Sequence, residues 1–322
     1  MADYQDIRGL RVKYLSADPS NPENGEVWYN STSGTLKTQL FGGSWASGGD
    51  LNTARRALWG AGSQTAALAF GGYVSGKSGA TEEYNGASWA TSPGSLNTAR
   101  YHLAGTGTQT AAVAFGGISP PTAIPSYLSN ATENYDGSTW TTSPGTMGTG
   151  RYVVSGLGIQ TAAVCFGGYP SGTATEVWNG SSWTGGNAYP TSLSGIAGCG
   201  LLAAGLGVGG SPDTTLCCEY DGTNWTAVNS ANLAVNNGFA SGTQTSAVLS
   251  GGSPAPNRPK TQTYDGTTWT TSGATLGTGR YSPGGTSTSG TAALSFGGGA
   301  PGNSALTEEY NFGASTKTLT TS

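Results

Sequence analysis

The chain has 322 residues, of which only 9% are charged and 55 are glycine, with a formal net charge of −4 and a pI near 5.0. Ordinary soluble domains carry about 25% charged residues, and a chain so poor in Lys, Glu and Arg and so rich in Gly and Thr does not form helical bundles. Nine Trp, 15 Tyr and 7 Phe argue against disorder, glycine without a three-residue period excludes collagen, and the acidic balance excludes general electrostatic binding of nucleic acid.

The first residues, MADYQDIRGLRVKY, hold no apolar core of a leader, so no secretory signal is expected. No run of 18 apolar residues occurs, so no membrane insertion is expected. Residues 10–15, 26–30 and 35–40 read as short strands, and Gly43-Ser44-Trp45-Ala46-Ser47 reads as the end of a hairpin.

From residue 51 the chain repeats. An apolar run ends in a glycine pair at Gly71-Gly72, Gly116-Gly117, Gly167-Gly168, Gly209-Gly210, Gly251-Gly252 and Gly297-Gly298. A tryptophan follows each of the first five pairs (Trp89, Trp140, Trp183, Trp225, Trp269), with Tyr84, Tyr135, Trp178, Tyr220 or Tyr264 five residues before it. The sixth unit keeps Tyr310 and has no tryptophan. Each unit reads as four strands, a to d, and the first five carry an Asn-Gly or Asp-Gly dipeptide between c and d, the signal of a type I′ hairpin. Four short strands recurring about every 45 residues predict an all-β, four-stranded antiparallel β-propeller. The predicted repeats span 51–95, 96–146, 147–192, 193–232, 233–275 and 276–322, as one continuous propeller. Trp45 stands one period before Trp89, so residues 1–50 read as a diverged seventh blade. Six blades plus an N-terminal adaptor hairpin is the alternative.

The recurring glycine pair, tyrosine and tryptophan resemble the kelch repeat over residues 51–322, a likeness made specific by its multiplicity. The segments GEVWYNSTSGTLK and GTQTAALAFGG resemble stretches of bacteriophage virion proteins, particularly those of tail fibres and appendages of marine phages. That second resemblance implies a non-enzymatic structural protein of a virion, assembled in the host cytoplasm and released by lysis. It implies other virion proteins as partners, an oligomer within the particle, and a host-surface saccharide as a further ligand. A cellular kelch-like interaction module or lectin is the alternative from another class, and a divergent carbohydrate-active enzyme the third. No cofactor is expected: the copper site of galactose oxidase, which shares kelch architecture, needs two histidines, and only His102 is present. His102 reads as a partly buried residue of an inner strand. Cys165, Cys199, Cys217 and Cys218 match no zinc spacing and read as buried thiols.

Two features single out side chains. Arginine opens strand a in four repeats (Arg55, Arg100, Arg151, Arg280), and glutamate stands in strand c of the same four (Glu82, Glu133, Glu176, Glu308). Where the glutamate position is Cys218 or Gln262, the arginine is missing too. Matched loss predicts an ion pair inside each of these blades, with an arginine ring open to an anionic glycan as the alternative. The b–c loops vary most between repeats, and variable loops on a constant scaffold mark a recognition face. There Tyr73, Tyr127, Tyr169, Arg258 and Lys260 are the candidate partner or glycan contacts, with Pro120, Pro121 and Pro125 stiffening the longest loop.

Overall fold

The structure is a computed structural model, described here for residues 12–23, 25–119, 127–286, 288–299 and 301–319. It falls into two compact units: one of residues 1–44 and 312–322, the other Trp45–Asn311.

The larger unit is the propeller. Blade one runs outward through Trp59–Ser63, Ala66–Phe70, Thr81–Tyr84 and Trp89–Thr91, each strand antiparallel to the next. Blades two to five repeat this order, starting from inner strands Ala104–Gly107, Ser155–Ile159, Ala197–Leu201 and Phe239–Thr243. The last blade begins at Gly284–Gly285 and Ala292–Phe296 and takes its third strand from the start of Thr307–Thr318. Its fourth is the end of Thr35–Ser47, which carries Trp45. Each inner strand neighbours the next in a closed ring, the last against the first.

The ring therefore has six blades. The predicted seventh gives way to the six-blade alternative, because Trp45 fills the place of the tryptophan that the sixth repeat lacks. Its ring lies 5.2 Å from Tyr310, as Trp89 lies 5.0 Å from Tyr84 within blade one. The predicted boundary at residue 50 moves for the same reason, since residues 45–47 belong to the ring.

The core consists of clusters between neighbouring blades, not of one central mass. Leu58, Trp89, Leu294 and Phe296 pack blade one against blade six, and Phe70, Leu103, Tyr135 and Trp140 pack one against two. Glycine in the inner strand is a packing requirement here. A Cβ on Gly105 would lie 2.7 Å from the Phe70 ring, and one on Gly156 2.8 Å from Phe115. The four cysteines are buried and unpaired.

The c–d connections differ from the predicted two-residue type I′ turn. Tyr135 pairs with Trp140, so four residues form the loop, and in it only Gly137 has positive φ. The aspartate caps the turn instead: Asp136 Oδ1 accepts the backbone N–H groups of Ser138 (2.9 Å) and Thr139 (2.7 Å). These bonds hold its carboxyl at about 2. Asn85, Asn179, Asp221 and Asp265 cap their turns in the same way.

In the smaller unit, Lys13–Leu15 pairs with Val27–Asn30 in parallel, and Val27–Asn30 with residues 35–38 antiparallel. A parallel pair does not occur in the propeller blades, which is why these strands do not form the predicted blade. Asp18 accepts from the buried Trp28 indole and from Asn30, and pairs with Lys37, which holds its carboxyl at about 2. Among the described residues no helix is long and apolar enough to cross a membrane.

Candidate functional site

The four arginines lie just ahead of strand a and are sealed from solvent. Arg55 Nη2 lies 3.1 Å from Glu82 Oε1, Arg100 2.9 Å from Glu133 and Arg151 2.8 Å from Glu176, and Arg280 pairs with Glu308. The other guanidinium nitrogen donates to backbone: Arg55 Nη1 bonds the carbonyls of Gly71 and Ala80, tying the end of strand b to the start of c. The second carboxylate oxygen accepts a backbone N–H of the d–a segment, at 2.6 Å from each of Asn52, Asn97, Gly148 and Gly277. Gln262 grips the d–a segment without an arginine, one residue further along: its Oε1 accepts from Leu233 N at 2.9 Å while its Nε2 donates to Leu233 O. Burial lowers the guanidinium pKa of Arg55, Arg100 and Arg280, and the partner carboxylates offset part of that. With no exposed surface these arginines are scaffold, and the alternative of an open arginine ring is removed.

Two residues beyond each arginine position the chain adopts left-handed backbone, at Ala57, His102, Val153, Gly195, Asn237 and Ser282. These six form a closed annulus of backbone bonds. His102 N donates to Ala57 O, Val153 N to His102 O, Gly195 N to Val153 O, Asn237 N to Gly195 O, Ser282 N to Asn237 O and Ala57 N to Ser282 O. His102 therefore sits at a bend before the inner strand, not within it as predicted. The pocket at the annulus offers about 40 Å³ to the centres of water molecules, room for a few waters. Burial, with the charge of Arg56 added, pushes the His102 imidazole down to about 4, so it is neutral at pH 7.

Around the annulus each blade sets one residue before the left-handed position opposite the residue after its glycine pair. These bridged pairs are Arg56 with Tyr73, Tyr101 with Ile118, Tyr152 with Tyr169, Ser194 with Ser211, Asn236 with Ser253 and Tyr281 with Gly299. The scaffold is constant here and the side chains are not. Blades four and five present small polar groups, and the others present rings. Tyr73 and Tyr101 lie 5.4 Å apart, Tyr101 and His102 5.1 Å, His102 and Tyr152 6.3 Å, and Tyr152 meets both Tyr127 (6.3 Å) and Tyr169 (5.6 Å). Arg56 stacks over Tyr73 at 4.8 Å and donates to Asn303 in the sixth blade's loop. Arg258 stacks over Tyr281 at 5.0 Å. The result is a crescent of rings and guanidiniums at the loop-bearing mouth of the propeller, with Tyr169 57% exposed.

Of the predicted contacts, Tyr73, Tyr127 and Tyr169 come together in the crescent. Arg258 joins it through Tyr281, while exposed Lys260 starts strand c of blade five with no described contact to the rings. Pro120, Pro121 and Pro125 lie outside the described residues. Tyr101, Tyr152, Tyr281 and Arg56 were not singled out from sequence, although one signal marked them. They occupy a single repeat position, directly after the arginine position, whose identity changes from blade to blade. Among the described residues no group of three or more His, Cys, Asp or Glu side chains is placed to hold a metal. The chemistry on offer is stacking by tyrosine faces and donation by phenols and guanidiniums, which suits ring-shaped polar ligands.

No protein-family model matches the chain, and no curated protein matches it. Among solved structures it resembles that described as the structure of YjhT, with a TM-score of 0.64 and 14% identity over 81% of this chain and 96% of that one. At that identity the likeness is one of fold, and it supports the β-propeller.

Proposed function

We propose that the chain is a non-enzymatic virion protein of a bacteriophage, of tail fibre, appendage or decoration type, whose propeller docks on other particle proteins and binds a host-surface saccharide. The crescent carries the binding half of this reading. Its tyrosines lie on the face where the loops vary, mostly at two bridged repeat positions whose backbone is constant and whose side chains differ from blade to blade. Aromatic faces stack on the apolar faces of sugar rings, and their hydroxyls supply hydrogen bonds. A propeller that holds its scaffold constant and varies the side chains around one mouth is suited to binding at that mouth. The phage half rests on the sequence resemblance alone.

Particles carrying Tyr73→Ala and Tyr152→Ala together should adsorb to host cells more slowly by about tenfold, the loss of two stacking contacts. Protein content and particle yield should be unchanged. Unaltered adsorption would remove the saccharide reading. Absence of the chain from purified particles, tested by mass spectrometry, would remove the virion reading.

A further inference from the structure

We infer that the crescent takes an anionic saccharide, with Arg56 and Arg258 each holding negative groups along it; this rests on the reading that the loop face binds glycan. The charges of the propeller unit divide by face. Of its arginines and lysines, Arg55, Arg100, Arg151 and Arg280 are consumed in buried pairs. The rest are Arg56, Lys77, Arg258 and Lys260. All four lie on the loop-bearing face, and none takes part in a described salt bridge.

The acids are placed differently. Asp136, Asp221 and Asp265 cap the c–d turns at the opposite face. Glu83, Glu219 and Glu309 accept from the hydroxyls of Tyr135, Tyr264 and Tyr84 between blades. Asp50 and Asp213 remain on the loop side, where they accept from Thr307 N and the Asn236 amide. A protein of net charge −4 thus turns a net positive face toward its ligand.

Both arginines are prepared to hold an anion. Each guanidinium lies on a tyrosine ring, which fixes its plane; Arg56 Nη1 donates to Asn303, while Arg56 Nη2 and both Nη atoms of Arg258 have no described hydrogen-bond partner. Arg56 is further held by Asn303, whose own amide donates to Val74 O. Asn303 is neutral, so the Arg56 charge is positioned without being cancelled. A planar fork of donors beside an aromatic shelf matches a carboxylate or sulfate carried on a sugar ring.

The test uses the full chain and two matched polymer pairs, polygalacturonate with its methyl ester and dextran sulfate with dextran. Binding is measured by calorimetry at low and rising salt. The charged member of at least one pair should bind more tightly, with affinity falling as salt rises. A carboxylate ligand favours the first pair and a sulfate ligand the second. Arg56→Ala and Arg258→Ala should each weaken it about tenfold or more, as for loss of a charge-assisted hydrogen bond. Lys13→Ala, in the smaller unit, should leave it unchanged. Equal binding within both pairs, or arginine variants that bind like the parent, would overturn the inference. Neutral polymers bound and then lost in the Tyr73 and Tyr152 variants would leave the saccharide reading standing and remove the anionic group. Binding of none of the four overturns the anionic assignment, and host adsorption then decides the broader reading separately.

Discussion

At the residue scale the buried ion pairs carry the clearest energetic consequence. Removing one partner of a buried pair leaves an uncompensated charge and costs about 3–5 kcal/mol, whereas replacing both with neutral groups costs far less. Blade five shows the neutral solution, with Val235 in the arginine position and Gln262 in the glutamate position. Glu133→Ala should therefore lower stability by about 3–5 kcal/mol in denaturant unfolding. Arg100→Val with Glu133→Gln should recover more than half of that loss. A double variant as unstable as the sum of the singles would refute the pairing argument. His102 gives a second test. Its folded pKa, about 4, lies below the ordinary 6.5, so the unfolded chain binds the proton first as pH falls. Its contribution is intact above 6.5 and is lost between 6.5 and about 4. His102→Asn keeps a residue that tolerates left-handed backbone, as Asn237 does one annulus position away from Ser282. It should flatten that part of the stability profile relative to the parent, and a profile of unchanged slope would show that other groups set it. The arginine–glutamate match was legible because repeats within one chain can be compared. The backbone bond to the second carboxylate oxygen was not, because its donor is a main-chain N–H whose position only folding sets.

At the element scale the period of the sequence located strands c and d of the first five blades and strand c of the sixth, but left the blade count open. A closed ring has no first position, so the spacing of Trp45 from Trp89 gives its phase within a blade and not which blade it joins. The sixth repeat's missing tryptophan was the sign that a strand is donated from elsewhere. Once in place, Trp45 donates to Thr261 in blade five at 2.8 Å, repeating Trp89 to Thr307 and Trp140 to Thr81, both 2.9 Å. It also packs edge-on to Phe239 at 6.2 Å. Trp45→Ala, at a partly buried ring, should cost about 2–3 kcal/mol. In hydrogen exchange, the amides of Ala292–Phe296 and residues 307–311 should lose protection before those of the other blades. Uniform loss of protection would mean that ring closure does not depend on this strand. The c–d turn was a different failure: Asp-Gly and Asn-Gly fit a type I′ turn, but here the acid or amide side chain is used as a cap, which dipeptide identity does not reveal.

At the scale of the whole molecule, stability is a chain of neighbour contacts closed on itself, so its weakest seams decide how it opens. Three side-chain links recur between blades: strand-d tryptophan to strand-c threonine, strand-c tyrosine to a glutamate, and a glutamine of the a–b hairpin to two carbonyls of the blade before. The seam of blades one and two has all three, with Gln109 Nε2 at 3.1 Å from Ala67 O and 2.7 Å from Tyr84 O. The seam of six and one has them as well, through Gln64, Tyr84 and Trp89. Between three and four only Trp225 to Thr175 remains among the described links. Leu202 takes the glutamine position there, judged by the register of Leu201 with Ala204 against Ser63 with Ala66. Blade four also lacks the buried ion pair. Its strands should therefore exchange amide protons faster than those of blade one in native conditions. Leu202→Gln, which would set a donor toward Ala163 O and Trp178 O, should slow that exchange without altering blade one. Gln109→Ala should do the reverse, costing about 1–3 kcal/mol for the carbonyls it leaves unpaired and releasing blades one and two first. Equal exchange at both seams in the parent, or no response to either change, would mean that apolar packing between blades, not these polar links, sets the order of opening.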